Sequence, residues 1–419
     1  MKAAGRNGSG RSGRRQRTME TRIYLDHAAT TPVRDEVVAA MMPYFGTHGF
    51  NASSPYAEGR AARGALDAAR ATVGRLLGAQ SREIVFTGGG SEADNLAIFG
   101  TARARRAAGN RIVTVATEHH AVLHAMDVLR DDGFTIDVLP VDSSGRVNPA
   151  EFARALVPGT ILASVMLANN ELGTVQPIAE LAALARSRDV TFHCDAVQAP
   201  GRLPLDMREL GVDLLALSGH KFYAPKGVGA LYVRAGTPLA PRVVGGGQEA
   251  GLRAGTENVA GIVGFARGLE LAALELPLEA ARLRMLRDRF ETALEHRLPG
   301  IRVHARDAER LPNLTSVAFA GARAQDLLVL LDLDGLAVSA GSACAAGSSR
   351  PSHVLAAAGV REAARFETLR FSFGKLTRGE EADRALEIVV RAVEALRDPS
   401  AELGTTSFGA AVSRTGVSI

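Results

Sequence analysis

The sequence predicts an α/β fold, with a large domain on a mainly parallel sheet and a smaller α+β domain after it. Three observations predict it. From about Asp35 to Gly236, apolar runs of strand length alternate with helical stretches, the pattern of a parallel sheet covered by helices. A long helical region over residues 261–297 then leads into a second, shorter set of strands. The chain has 419 residues, 46% of them hydrophobic and 22% charged, which supplies enough apolar material for two cores.

Residues 1–22 carry seven Lys/Arg against one Glu, and without them the formal net charge falls from +4 to −2. The basicity therefore belongs to this tail and not to the folded part. The tail has no apolar h-region, so it is no secretory signal, and it reads as disordered. It is Arg-rich and acid-poor like an organellar transit peptide, but nothing amphipathic supports that. It has no interleaved aromatics, and the core is slightly acidic, which argues against nucleic-acid binding as a primary role. No stretch reaches about eighteen uninterrupted apolar residues, so no membrane span is predicted.

In chain order, residues 23–32 form an N-terminal segment expected to pack with the small domain. Residues 33–276 are the large domain and 277–400 the small one. Residues 401–419, rich in Gly, Ser and Thr, form a tail expected to fray. Helices are predicted over 33–45, 58–78, 121–132 and 178–188, and strands over 83–87, 191–198, 212–217 and 228–233. The 261–297 helical region should break near Pro277, because proline lacks an N–H and clashes with the preceding turn. Strands over 316–319, 337–339 and 368–373 and a closing helix over 380–396 complete the small domain. No internal repeat is present.

Several strand ends carry chemistry. Gly88-Gly89-Gly90-Ser91 joins a strand to a helix predicted from Glu92 onward. Glycines let the backbone approach an anion, and the helix N-terminus adds free N–H groups and a favourable dipole. No Gly-Lys-Ser/Thr follows, and no second βαβ unit supplies an acid for a ribose, so a single phosphate fits better than a nucleotide. Asp195 ends another strand, 26 residues before Lys221. Such a carboxylate could keep a pyridine nitrogen protonated, or it could cap a helix. Gln198 and Asn170 also follow apolar runs; either could meet the phenolic oxygen of such a ring, or be an ordinary turn residue.

Ser218-Gly219-His220-Lys221 lies between two apolar strands. An amine at the mouth of a sheet, partly desolvated, becomes a nucleophile toward aldehydes, which is what a pyridoxal-phosphate lysine needs. A surface lysine in a hairpin is the alternative. Of the two cysteines, Cys194 sits on an apolar strand and reads as an inert packed residue. Cys344 lies in a small, charge-poor stretch, Ala340-Gly341-Ser342-Ala343-Cys344-Ala345-Ala346-Gly347, that reads as a mobile loop carrying a reactive thiol. Two cysteines make no disulfide framework, and neither they nor the histidines show metal spacing. His353 is expected only to order the end of the cysteine loop.

From about Ile23 to Leu396 the chain resembles the group I cysteine desulfurases of the NifS/IscS type, fold-type I pyridoxal-phosphate enzymes of the class V aminotransferase family. The matching motifs are Tyr24-Leu25-Asp26-His27-Ala28-Ala29-Thr30-Thr31-Pro32, the glycine turn, Glu118-His119-His120-Ala121-Val122-Leu123, Asn169-Asn170-Glu171-Leu172-Gly173 and Asp195-Ala196-Val197-Gln198. Ser218-Gly219-His220-Lys221, Arg253-Ala254-Gly255-Thr256, Ser339-Ala340-Gly341-Ser342-Ala343-Cys344 and Arg370-Phe371-Ser372-Phe373-Gly374 follow in the same order.

The resemblance implies a role for each match. Lys221 would hold the cofactor covalently and remove the Cα proton. Asp195 would pair with the pyridine nitrogen, and His119 would stack on the ring and shuttle a proton. Asn170 and Gln198 would contact the ring-oxygen side. Gly90, Ser91, Ser218 and His220 would bind the phosphate, and Thr256 would reach the phosphate of a neighbouring subunit, making the protein a homodimer. Arg370 would clamp the carboxylate of L-cysteine. Cys344 would take the sulfur as a persulfide, release L-alanine, and pass the sulfur to a protein acceptor in the cytoplasm, an Fe–S scaffold or a tRNA-thiolating enzyme. A selenocysteine lyase or an aminotransferase is the alternative on this scaffold. The chain departs from its relatives at Gly90-Ser91, where Ala-Thr is frequent, and in residues 399–419, where no acidic, aromatic scaffold-docking tail is recognisable.

Overall fold

The computed structural model of the chain describes residues 22–341 and 352–398. It opens with strand β1 (Ile23–Tyr24), helices α1 (Asp35–Met41) and α2 (Ala57–Leu76), and strand β2 (Ile84–Thr87). Alternation follows: α3 (Gly90–Ala104), β3 (Arg111–Val115), α4 (His120–Asp131), β4 (Thr135–Leu139), α5 (Pro149–Ala155), β5 (Thr160–Ser164), α6 (Ile178–Arg186) and β6 (Thr191–Asp195). After the short α7 (Met207–Leu210) come β7 (Leu214–Ser218) and β8 (Gly229–Val233).

These strands make one seven-stranded sheet in the order β2-β8-β7-β6-β5-β3-β4. β7, β6, β5, β3 and β4 are parallel, as their helical crossovers require. β8 is antiparallel to both of its neighbours, because the turn after β7 is too short to cross the sheet. β5, β6 and β7 are buried along their whole length; β7 accordingly reads as a continuous apolar run, whereas β6 alternates and sets Thr191, His193 and Asp195 on one buried face. The carboxyl ends of β2, β6 and β7 open on one edge, where α/β sheets bind ligands.

Helix α8 (Val259–Arg297) corrects the expected break. It runs as one 39-residue helix with Pro277 inside. Pro277 and Ala273, whose carbonyl the proline cannot bond, are both exposed, so the lost hydrogen bond falls on the solvent side. Each half is pinned in a different core. Ile262, Phe265 and Leu269 pack under the sheet, while Leu283, Leu286, Phe290 and Leu294 enter a second cluster. Burial of so many apolar side chains outweighs the roughly 3 kcal/mol that an interior proline costs.

The second cluster is built on β9 (Ile301–Val303), β10 (Leu314–Phe319) and β12 (Thr368–Ser372), an antiparallel sheet in the order β12-β10-β9, with α9 (Ala324–Leu333), β11 (Leu336–Ala337) and α12 (Gly379–Arg397) around it, while α10 (His353–Ala357) and α11 (Glu362–Arg365) pack in a smaller cluster with Leu172. β1 pairs in parallel with β11, and Ile23 and Leu25 are buried in the same cluster. Other boundaries also differ from expectation; the predicted 191–198 strand, for one, ends at Asp195. The predicted 33–45 helix divides into α1 and a 3-10 turn, Met42–Phe45, at Pro43. The 337–339 strand shrinks to β11, with Ser339 making a single bridge to Arg370.

Candidate active site

A cleft of about 550 Å³ opens at the carboxyl edge of the large sheet. Of the predicted site residues it brings together Gly90, Ser91, His119, Asn170, Asp195, Gln198, Ser218, His220, Lys221 and Arg370. Thr256 is exposed and does not line this cleft. Cys344 lies outside the described residues.

Lys221 closes a single 3-10 turn, Gly219–Lys221, directly after β7. Its Nζ donates to the carbonyl oxygens of Ala28 (2.7 Å) and Ala29 (2.8 Å). Behind it the buried Arg202 donates to the carbonyls of Gln198 and of Lys221 itself, which holds the turn against the N-terminal segment. Asp195 is the last residue of β6, and its Oδ1 accepts the N–H of Val197 at 2.9 Å, as a capping acid would. Burial and, next, the charge of Asp94 push the Asp195 carboxyl up to about 6, against the pull of His119 and of the Val197 N–H.

His119 caps α4, and its Nδ1 accepts the N–H of Ala121 at 3.1 Å. The neutral ring therefore carries its proton on Nε2. Burial holds its pKa below the usual imidazole value, so the neutral form prevails near pH 7. Asn169 shapes the neighbouring turn, with its Oδ1 accepting the N–H groups of Glu171 and Leu172 and its Nδ2 donating to Thr117. This sets Asn170 in the cleft, where its carbonyl accepts Arg370 Nη1 at 2.9 Å. Arg370, on β12, is 1% exposed, and its Nη2 donates to Asp26 Oδ1 at 2.7 Å. Its buried Nε has no hydrogen-bond partner among the described residues. Gln198 donates from Nε2 to Ala28, and its Oε1 is likewise buried and unpartnered among the described residues.

The glycine turn leads into α3, which begins at Gly90 and not at the expected Glu92, so this is the end of the cleft where an anion could be held. The N–H groups of a first helical turn have no intrahelical acceptor. Gly90 is needed for close packing, since a Cβ there would stand 2.8 Å from Val197 Cγ2 and 3.1 Å from Ser218 Cβ. His220 bonds Thr30 Oγ1 through Nδ1 at 3.0 Å, and burial pushes its pKa down to about 4.

Sequence reasoning assigned no role to Asp26, Asp94 and Glu118, although they stand in its motifs, and missed Arg202 altogether. Asp94 had a readable signal: it sits in the first turns of a helix that begins at the glycine loop. His353 does more than was expected of it. Its Nε2 meets the Glu118 carbonyl at 2.9 Å and its ring lies 4.7 Å from that of His120, tying α10 to the start of α4. Cys194 is fully buried, and burial pushes its thiol well above the usual value. Among the described residues no His/Cys/Asp/Glu group is arranged to hold a metal ion, and no helix is long and apolar enough to cross a membrane.

The donor set fits pyridoxal phosphate. It offers a turn-held lysine, a buried carboxylate, a ring-sized imidazole neighbour and a helix N-terminus at one end. A fold-type I pyridoxal-phosphate enzyme is the class so defined. The chain belongs to the class-V aminotransferase family, whose model matches residues 23–385. It is 46% identical over 379 residues to a protein named cysteine desulfurase IscS of Dictyoglomus turgidum, with 90% of this chain and 96% of the relative covered. A protein of the same name from Methanosarcina thermophila is 46% identical over 378 residues, covering 90% and 93%. Among solved structures, one titled NifS-like protein superposes with a TM-score of 0.83 at 35% identity, covering 89% of this chain and 99% of that one.

Proposed function

We infer that the chain is a pyridoxal-phosphate-dependent cysteine desulfurase that converts L-cysteine to L-alanine and passes the sulfur to a protein acceptor. The observation that carries this reading is the convergence of Lys221, Asp195, His119 and Arg370 on one cleft, in a chain 46% identical to named cysteine desulfurases over nearly its full length.

When bound, pyridoxal phosphate supplies an electron sink in its protonated ring. Asp195 would hold the proton on the ring nitrogen. Gly90, Ser91, Ser218 and His220 would hold the phosphate, with Asn170 and Gln198 toward the ring oxygen. Arg370 Nε and Nη atoms would bind the substrate carboxylate, a planar fork meeting a planar acceptor. Lys221 Nζ would hold the cofactor and move the substrate Cα proton, and His119 would hold a transferable proton at Nε2. The Cys344 thiolate would take the sulfur, becoming a persulfide. The reading extends to a cytoplasmic homodimer whose partner supplies Thr256, with an Fe–S scaffold or a tRNA-thiolating enzyme as acceptor. Residues 33–276 would form the cofactor domain and 277–400 the domain that carries Cys344.

Two variants test it. The purified protein should be yellow, with a visible band that borohydride removes, and Lys221→Ala should lose the covalent link. Cys344→Ser should keep the band but neither accumulate persulfide nor turn over cysteine. Alanine release at the wild-type rate in Cys344→Ser would favour a lyase. A wild-type protein that stays colourless with added pyridoxal phosphate would remove the reading altogether.

A further inference from the structure

Three carboxyls are buried close to one another at the cleft, and two of them, Asp94 and Asp195, line it. Asp94 on α3 is 1% exposed, Asp195 is 6% exposed, and Glu118, in the β3–α4 loop, is fully buried. Asp195 has the Val197 N–H, and Glu118 Oε1 has the Met166 N–H at 2.6 Å. Asp94 Oδ1 and Glu118 Oε2 have no hydrogen-bond partner among the described residues. A second such atom lies beside Asp94: His193 Nε2, also without a hydrogen bond among the described residues, stands 3.4 Å from Asp94 Oδ1. On its other side His193 Nδ1 meets Ser164 Oγ at 2.8 Å. His193 and Asp195 lie two residues apart on β6 and so share a face of the strand.

We propose that Asp94 is a neutral carboxylic acid whose proton is shared with His193 Nε2, and that this Ser164–His193–Asp94 relay makes Asp94 a positioning residue that leaves the site's negative charge on Asp195. The role of Asp195 rests on the cofactor reading above, whereas the protonation of Asp94 does not.

A proton on Asp94 directed at His193 Nε2, 3.4 Å away, gives each of the two atoms a polar partner after a small approach, and a second buried anion beside Asp195 is avoided. The surroundings agree. Burial pushes the Asp94 carboxyl up to about 8, above the value of about 6 for Asp195, and holds Glu118 well above its ordinary value. His193 is pushed down to about 4, again by burial, so it accepts a proton bond rather than carrying charge. The other groups facing this cluster are His119 from the β3–α4 loop, the Cys194 thiol on β6, and Lys221 after β7. Asp195 thus ionises first, and environments that push neighbouring acids apart in this way assign their roles.

The test uses the full chain with and without pyridoxal phosphate. A carboxyl raised in the folded state stabilises the protein fully at pH values below its unfolded value, and that contribution is lost as pH rises toward 8. Between pH 5 and 7.5 the unfolding constant in urea should therefore rise about tenfold more per pH unit for the wild type than for Asp94→Asn, a difference of one proton. His193→Gln, which retains an acceptor for the Asp94 proton, should keep the wild-type slope. In the loaded protein the visible band should show an alkaline step near pH 8, where Asp94 ionises beside Asp195, and Asp94→Asn should lack that step. If the Asn variant does not fold, the infrared spectrum of Glu118→Gln, which removes the other raised carboxyl, decides, since the remaining protonated-carboxyl band should titrate away between about pH 7 and 9. Equal unfolding slopes in both proteins, or no such infrared titration, would overturn the proposal. A protein colourless at every pH would remove the cofactor reading and leave the proton count to decide on Asp94.

Discussion

Replacing Arg370 with lysine keeps the charge and removes the fork. In the structure the guanidinium already spends Nη2 on Asp26 and Nη1 on the Asn170 carbonyl. A lysine at the same Cα has a single ammonium and cannot serve Asp26, Asn170 and a substrate carboxylate together. The substrate should lose about one charge-assisted hydrogen bond, roughly 1.5–3 kcal/mol, which is about a 10- to 150-fold fall in kcat/KM for L-cysteine. The carboxylate is remote from the reacting sulfur, so most of the loss should appear in KM. Initial rates of alanine formation measure it, with the visible cofactor band as a control for loading. A thermal melt controls for structure, because Arg370 also ties β12 to the N-terminal segment. A kcat/KM within about threefold of wild type, with loading and Tm unchanged, would refute the carboxylate-clamp reasoning.

Three further outcomes are expected. Asp195 is charged above about pH 6 and neutral below it, so cofactor retention should fall on acidification, with a midpoint at or below pH 6 because a cationic ring stabilises the carboxylate; absorbance after desalting measures it, and full retention at about pH 4 would exclude the pairing. Pro277→Ala restores an N–H to α8 at an exposed position and should raise stability by about 1–3 kcal/mol in urea unfolding, whereas a loss would mean that the proline sets the angle between the two cores. Thr256→Ala mixed with Lys221→Ala should recover activity through hybrid dimers, and hybrids that recover nothing despite proven subunit exchange would exclude a shared site.

The parallel sheet and its site-bearing ends were legible because the information is local. Strands such as β7 are continuous apolar runs, and Asp195, Ser218 and Lys221 stand where those runs stop. What sequence missed depends on contacts between distant segments. Arg370 meets Asp26 across 344 residues, and nothing near either one announces the pair. Arg202 bonds only carbonyls in the contacts that place it, so no charge pattern marks it. Pro277 misled for the opposite reason: a local rule predicted a break, and two separate cores overrode it.

The N-terminal segment has a consequence for how the molecule comes into being. Leu25 donates its N–H to Ala337, and Ala28 donates to the Ser372 hydroxyl, while the carbonyls of Ala28 and Ala29 receive the Lys221 amine. Residues that leave the ribosome early therefore close against residues that leave it late. The large sheet can form while synthesis continues, since its pairings lie within residues 84–233. The floor beneath Lys221 cannot, because the strand that holds Ala28 in place waits for β11 and β12. Such distant pairing is slow and leaves apolar surface open meanwhile. Nascent chains arrested before residue 372 should hold a formed sheet but no competent lysine pocket, so maturation of the site is the final event of folding and not an early one.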